Sequence, residues 1–276
     1  MRWCTTASVI LLVAAATPFA AAQQRVTSIG FEVRDAATAE PLTASVFVDG
    51  EKVNSEYKLA EGSESSIGME VKADAGGGYY PRSMTLFLEA ITKTRLVYRI
   101  YLAPRNAAPL HNRASVANAS RFLQPDHVDR AIALLEAIVE ETSPVVRSSQ
   151  FGVYLKYNLW RAYQAGCTQR FLDYCTKANE ANAELLQMQR SKKEHFIAES
   201  ISTKELERGA RDIADSSFRL SYLRAKWDLR RNRPEDAAES LHLLIEAVEK
   251  DPLLLGRLKI SRKDIELRLA EAERAR

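Results

Sequence analysis

Four histidines, His111, His127, His195 and His242, decide first whether metal or acid–base chemistry is encoded. No two of them stand four residues apart, so the arrangement that puts two imidazoles on one helix face around a glutamate is absent. His195 follows Glu194 in a polar stretch without convergent partners and reads as a solvated residue. The serines of "EGSES" lack the G-x-S-x-G elbow that exposes a nucleophile on a strand-to-helix turn. The three consecutive glycines of "ADAGGGYYPRS" suggest a phosphate cradle, but no Gly-Lys-Ser/Thr follows and no helix begins there. No catalytic, cofactor-binding or metal-ligating constellation is therefore expected, and the chain is expected not to be an enzyme.

Side chains that could bind a partner are better represented. Tyr79 and Tyr80 stand side by side and could stack on sugar rings. In "FGVYLKYNLWRAY" the helical stripe Phe151, Tyr154 or Leu155, Leu159 and Ala162 reads as core, which leaves Tyr157 and Trp160 as candidates for a concave or inter-repeat surface that receives a partner. "QRSKKEH" and "LRAKWDLRRNR" are charged, but acids are interleaved with the bases throughout the helical segments. The formal net charge is +3, so no strong nucleic-acid footprint is present.

These residues need elements to hold them. Residues 1–22 have a basic start, the apolar run "ASVILLVAAA" and the small residues Ala20 and Ala22, the pattern of a secretory signal peptide cleaved before Gln23. The run is shorter than the roughly 20 residues that span a bilayer, and no later segment is apolar enough, so no transmembrane segment is expected after signal removal. A periplasmic or secreted location follows as an expectation. Cys167 and Cys175 are the cysteines that remain, and an oxidising compartment would permit them to pair. Eight residues along one helix rise about 12 Å, too far for a disulfide, so pairing requires the chain to fold back between them. Burial as two small hydrophobes is the alternative.

Residues 23–105 alternate apolar and polar positions in short runs separated by turn residues, as antiparallel strands do. The expected strands are "VTSIGFEVRD", "ASVFVDG", "SIGMEVKAD", "SMTLFLEA" and "RLVYRIYLAP", with Asp49-Gly50 as a tight hairpin turn. Residues 106–125 mix alanine, proline and asparagine without a sustained period and read as a linker with one turn of helix. Residues 126–276 carry apolar residues at helical spacing and predict six amphipathic helices. Asp126 would cap the first, Gly166 would stop the second, Ser202 and Glu205 form a capping box for the fourth, and Pro234 opens the fifth. Such helices bury their stripes by stacking on neighbours, as in an α-solenoid. The expected fold is thus α+β in two domains, a small antiparallel β-sandwich followed by an α-solenoid of helical hairpins.

Asp35, Pro41, Leu42, Ala44, Val46 and Val48, followed by Gly78, Tyr79, Ser83 and Leu102-Ala103-Pro104, resemble a carboxypeptidase regulatory-like domain, a transthyretin-like β-sandwich. Ala39 departs from that pattern, where the family's turn holds glycine. This domain is an accessory module, so the resemblance implies no peptidase activity. The helical residues are similar to tetratricopeptide repeats. Ala131, Leu135 and Ile138, then Phe171, Cys175 and Ala178, then Ala237, Leu241 and Leu244 keep the spacing of a repeat's second helix, and Leu159, Ala162 and Tyr163 that of a first helix. This resemblance implies a scaffold whose groove binds an envelope or secreted protein, without cofactor. Polysaccharide binding through the β domain is the alternative.

Overall fold

The computed structural model describes residues 28–54, 56–59, 66–89, 95–105, 113–124, 127–147, 149–169, 172–190 and 202–276. The expected signal peptide, Asp126, Phe171, His111, His195 and most of "LAEGSESS" lie outside the described residues.

Every expected strand forms, and two short ones join them: β1 (Ser28–Asp35), β2 (Ser45–Val48), β3 (Glu51–Val53), β4 (Glu56–Lys58), β5 (Ser66–Asp74), β6 (Arg82–Glu89) and β7 (Arg95–Leu102). They make two sheets, ordered β4-β1-β7 and β3-β2-β5-β6. The expectation of an antiparallel arrangement needs one correction. β1 and β7 run parallel over the full register from Ser28↔Arg95 to Asp35↔Leu102. A parallel pair requires a long connection, and the chain supplies one by building the whole second sheet between the two strands.

The turns follow local chemistry. β2 and β3 are joined through Asp49 at φ 50° and Gly50 at φ 87°, the left-handed pair that a two-residue hairpin demands. After β1, one carboxylate oxygen of Asp35 accepts the N–H groups of Ala37 at 2.6 Å and Thr38 at 3.0 Å. The turn closes through Ala39, whose φ is 67°. A side chain in this region costs about 1–2 kcal/mol, so Ala39 holds a strained backbone conformation that glycine would adopt freely. Ala39→Gly is expected to raise stability by about 0.5–1 kcal/mol after the glycine's greater unfolded-state entropy is subtracted. A thermal midpoint that does not rise would contradict this account of the turn.

Nine helices lie among the described residues: α1 (Arg113–Ser120), α2 (Val128–Glu141), α3 (Pro144–Arg147), α4 (Gln150–Gln169), α5 (Leu172–Arg190), α6 (Thr203–Arg230), α7 (Pro234–Lys250), α8 (Leu254–Leu258) and α9 (Arg262–Ala275). The six expected helices are α2, α4, α5, α6, α7 and α9. α1 falls inside the expected linker, where Val116 and Ala119, three residues apart, are both buried. Its Ser120 hydroxyl donates to Asn158 Oδ1 at 2.8 Å, docking it on α4. Ser202 caps α6 as expected, its Oγ accepting Glu205 N–H at 3.1 Å, while the Glu205 carboxylate is engaged by the Tyr157 hydroxyl. Gly166 does not stop α4. A Cβ there would lie 2.6 Å from the Tyr174 ring, so the glycine admits close packing of α5 against α4.

α4 and α5 are antiparallel neighbours, since Lys156 meets Glu184 and Cys167 meets Cys175. α4 and α6 run in the same direction, because Tyr157 contacts Glu205 and Gln164 contacts Asp212. A single buried cluster extends from Ile29, Val48 and Leu86 of the sheets to Ile132, Leu155 and Leu206 of the helices. A separate cluster around Leu241, Leu244 and Ile265 joins α7 and α9. The molecule is thus mixed α+β, with sheets and helices sharing buried surface.

Candidate functional site

The densest gathering of ionisable side chains lies where the sheets meet α2 and α5. Arg82, the first residue of β6, is 8% exposed, and Asp129, the second residue of α2, is 7% exposed. Arg82 Nη1 donates to Asp129 Oδ1 at 2.9 Å and to the main-chain oxygen of Tyr101 at 3.2 Å. Asp129 Oδ2 accepts the Tyr101 N–H at 3.3 Å, and Oδ1 also accepts the Tyr174 hydroxyl at 3.0 Å. The Tyr174 hydroxyl also meets Arg82 Nη2. Glu136 completes the group, accepting Tyr163 Oη–H at 3.1 Å and Lys177 Nζ–H at 2.6 Å. Burial pushes the Tyr174 hydroxyl well above the usual phenol range, with Arg82 opposing the shift and Asp129 and Glu136 reinforcing it. A cleft of about 370 Å³ opens beside these groups, bounded by Tyr80, Ser83, Glu140 and Lys177. Each buried charge has its counter-charge within the cluster, the condition under which buried charges persist.

A larger cleft, about 890 Å³, lies between α6, α7 and α8. Phe218, Leu243, Leu244, Ala247 and Leu254 give it an apolar lining. Leu243 is 58% exposed although it belongs to an otherwise amphipathic helix. One wall is fixed by Arg257, which donates to Asp215 at 2.8 and 3.1 Å and to Asp251 at 2.6 Å. The hydrogen bond from Arg257 holds the Asp251 carboxyl below its ordinary range.

The aromatic residues singled out from the sequence have other roles. Trp160 is only 1% exposed and is not an outward-facing groove residue. It packs on Gly209 of α6, where a Cβ would come within 2.3 Å of its ring, so the bare backbone admits the indole between the helices. The Trp160 indole N–H has no partner among the described residues. Tyr157 stands half-buried above it and donates to Glu205 Oε1 at 2.8 Å. Burial and this hydrogen bond push its hydroxyl up to about 12. Tyr157 and Trp160 are therefore parts of the α4–α6 contact.

Tyr79 and Tyr80 do not offer a free stacking pair. Tyr79 donates from its hydroxyl to Asp35 Oδ2 at 2.9 Å, tying the glycine-rich turn to the turn after β1. The Tyr80 ring is covered by the Arg105 guanidinium at 4.7 Å. Cys167 and Cys175 are joined as a disulfide with their Cα atoms 4.6 Å apart. The fold-back occurs between α4 and α5, with Cys167 still helical.

The Arg82 cluster escaped the sequence because its members come from β6, α2, α4 and α5. The α6–α8 groove was more accessible: Leu243 breaks the polar face of "AAESLHLLIEAVEK". Among the described residues no group of three or more His, Cys, Asp or Glu side chains could hold a metal ion, and no described helix is long and apolar enough to cross a membrane. No family model, curated protein or solved structure matches the chain.

Proposed function

We propose that the protein is a non-enzymatic, exported interaction scaffold, in which a transthyretin-like sandwich precedes a divergent tetratricopeptide-like array that binds a partner protein. The observation that carries this reading is the α6–α8 groove, with its apolar floor, exposed Leu243 and a wall stiffened by the Arg257–Asp215–Asp251 ion pairs. A partner helix could lay an apolar stripe on Phe218, Leu243 and Leu254. The same-direction packing of α4 and α6, with α5 between them in the opposite sense, supports the hairpin-array reading. The Cys167–Cys175 bridge supports export, since disulfides persist in oxidising compartments. The ionisable groups around Arg82 satisfy one another, which favours a structural role for them over an acid–base one.

Leu243→Asp and Phe218→Ala are each expected to weaken capture of a partner recovered by crosslinking from the native envelope. The loss should be about 30-fold, the size of a central interface residue. Capture unchanged in both variants, with unaltered thermal unfolding, would remove the groove from this reading.

A further inference from the structure

The outward face of the four-stranded sheet carries a row of side chains that the helices leave open. Its register puts Lys52 of β3 opposite Phe47 of β2, Phe47 opposite Lys72 of β5, and Lys72 opposite Ser83 of β6. The other face of these strands supplies Val46, Val48, Val71 and Met84 to the core, so the alternation turns all four row members outward. A cleft of about 480 Å³ lies over the Phe47–Lys72–Ser83 part of the row, lined also by Gly50, Glu70 and Thr85, with Lys52 on the neighbouring strand beside Phe47.

Three physical facts select a ligand. Phe47 is half-buried and is the aromatic ring in the lining of this cleft. Lys52 and Lys72 are exposed and have no ion-pair partner among the described residues. They stand on opposite sides of Phe47, two strand spacings or about 9.6 Å apart at the backbone. The platform is also held still. Asp49, at the tip of the hairpin that carries Phe47 and Lys52, accepts from Arg231 Nη1 of the residue following α6 at 3.2 Å. The hairpin, already paired with β5 through β2, is thereby also tied to the end of α6.

We infer that this face binds an anionic polysaccharide, one pyranose ring lying on Phe47 and its carboxylate-bearing neighbours paired with Lys52 and Lys72. A ring flanked by two unpaired cations suits a chain of alternating apolar sugar faces and acidic groups. Ser83 supplies a hydroxyl to the sugar edge. The site is independent of the helical groove, and Tyr79 and Tyr80 take no part in it.

The test is surface plasmon resonance of the mature protein over immobilised polygalacturonate, with dextran and poly-glutamate surfaces beside it. Binding is expected to polygalacturonate alone. Lys72→Gln should weaken it roughly fivefold, near the upper range for one exposed ion pair. Phe47→Ala should weaken it about tenfold at unchanged net charge. Phe47→Leu, which keeps the apolar bulk, serves if the alanine variant loses its thermal transition, and it should also bind weakly. Equal binding to poly-glutamate would reduce the interaction to bare charge, and equal binding to dextran would remove the lysines' role. Either result, or full binding by a folded variant lacking the Phe47 ring, overturns the proposal.

Discussion

Arg82→Met is expected to be the most damaging single substitution among the residues described. It removes the guanidinium but leaves the Asp129 carboxylate 7% exposed, supported only by the Tyr101 N–H and the Tyr174 hydroxyl. Breaking a buried pair from one side costs about 3–5 kcal/mol, and at roughly 2–4 °C per kcal/mol for a chain of this size the thermal midpoint should fall by about 10 °C. The double variant Arg82→Met/Asp129→Asn discriminates the cause. It removes both charges while keeping a carbonyl oxygen for the Tyr101 N–H, and should recover more than half of the loss. If the double variant is no better than the single, the damage comes from lost packing and not from an orphaned charge. If the single variant melts within two degrees of the parent, the cluster is not a structural hub.

The second large effect is expected from the disulfide. Replacing both Cys167 and Cys175 by alanine opens a loop whose ends are eight residues apart in sequence. Loop-closure entropy puts the loss at about 2.5 kcal/mol, or roughly 5–10 °C in the thermal midpoint. The parent protein treated with a thiol reductant should approach the same value. Both cysteines are buried, so reduction should be slow under native conditions and fast once the chain begins to unfold. Coincident melting of oxidised and reduced protein would show that the hairpin between α4 and α5 is held by packing alone.

These two features mark where the sequence could and could not be read. Helices α2, α4, α6 and α7 were legible because Leu, Ile and Ala recur at helical spacing and because Ser202 and Pro234 sit where a helix start needs them. The strands were legible by alternation, and Asp49-Gly50 by the φ that only such residues accept cheaply. Parallel pairing of β1 with β7 was not legible, since strand periodicity carries no information on direction. Arg82 and Tyr174 meet across 92 residues, and no local pattern distinguishes this arginine from the surface arginines around it. Whether Trp160 faced a concave surface or another helix was not legible, because helical spacing sorts residues by face without saying which faces meet a neighbour; the structure puts it in the α4–α6 contact. A signal was present in Gly209, a lone glycine inside a long helix, which costs helix stability and is retained where a neighbour needs the space.

α6 has a mechanical consequence of its own. Phe218 lies in the groove, while nine residues further along Trp227 stands edge-on to Phe87 of β6 with ring centres 5.7 Å apart. Those nine residues are one uninterrupted stretch of helix, about 14 Å long. The rod is pinned at its far end by Arg231 on the β2–β3 hairpin. The helix therefore sets one distance and orientation between the groove and the sheet, so ligands held at both ends would be spaced by it. Two weak grips on such a spacer reinforce each other without any new contact, because holding one end sets the local concentration of the other.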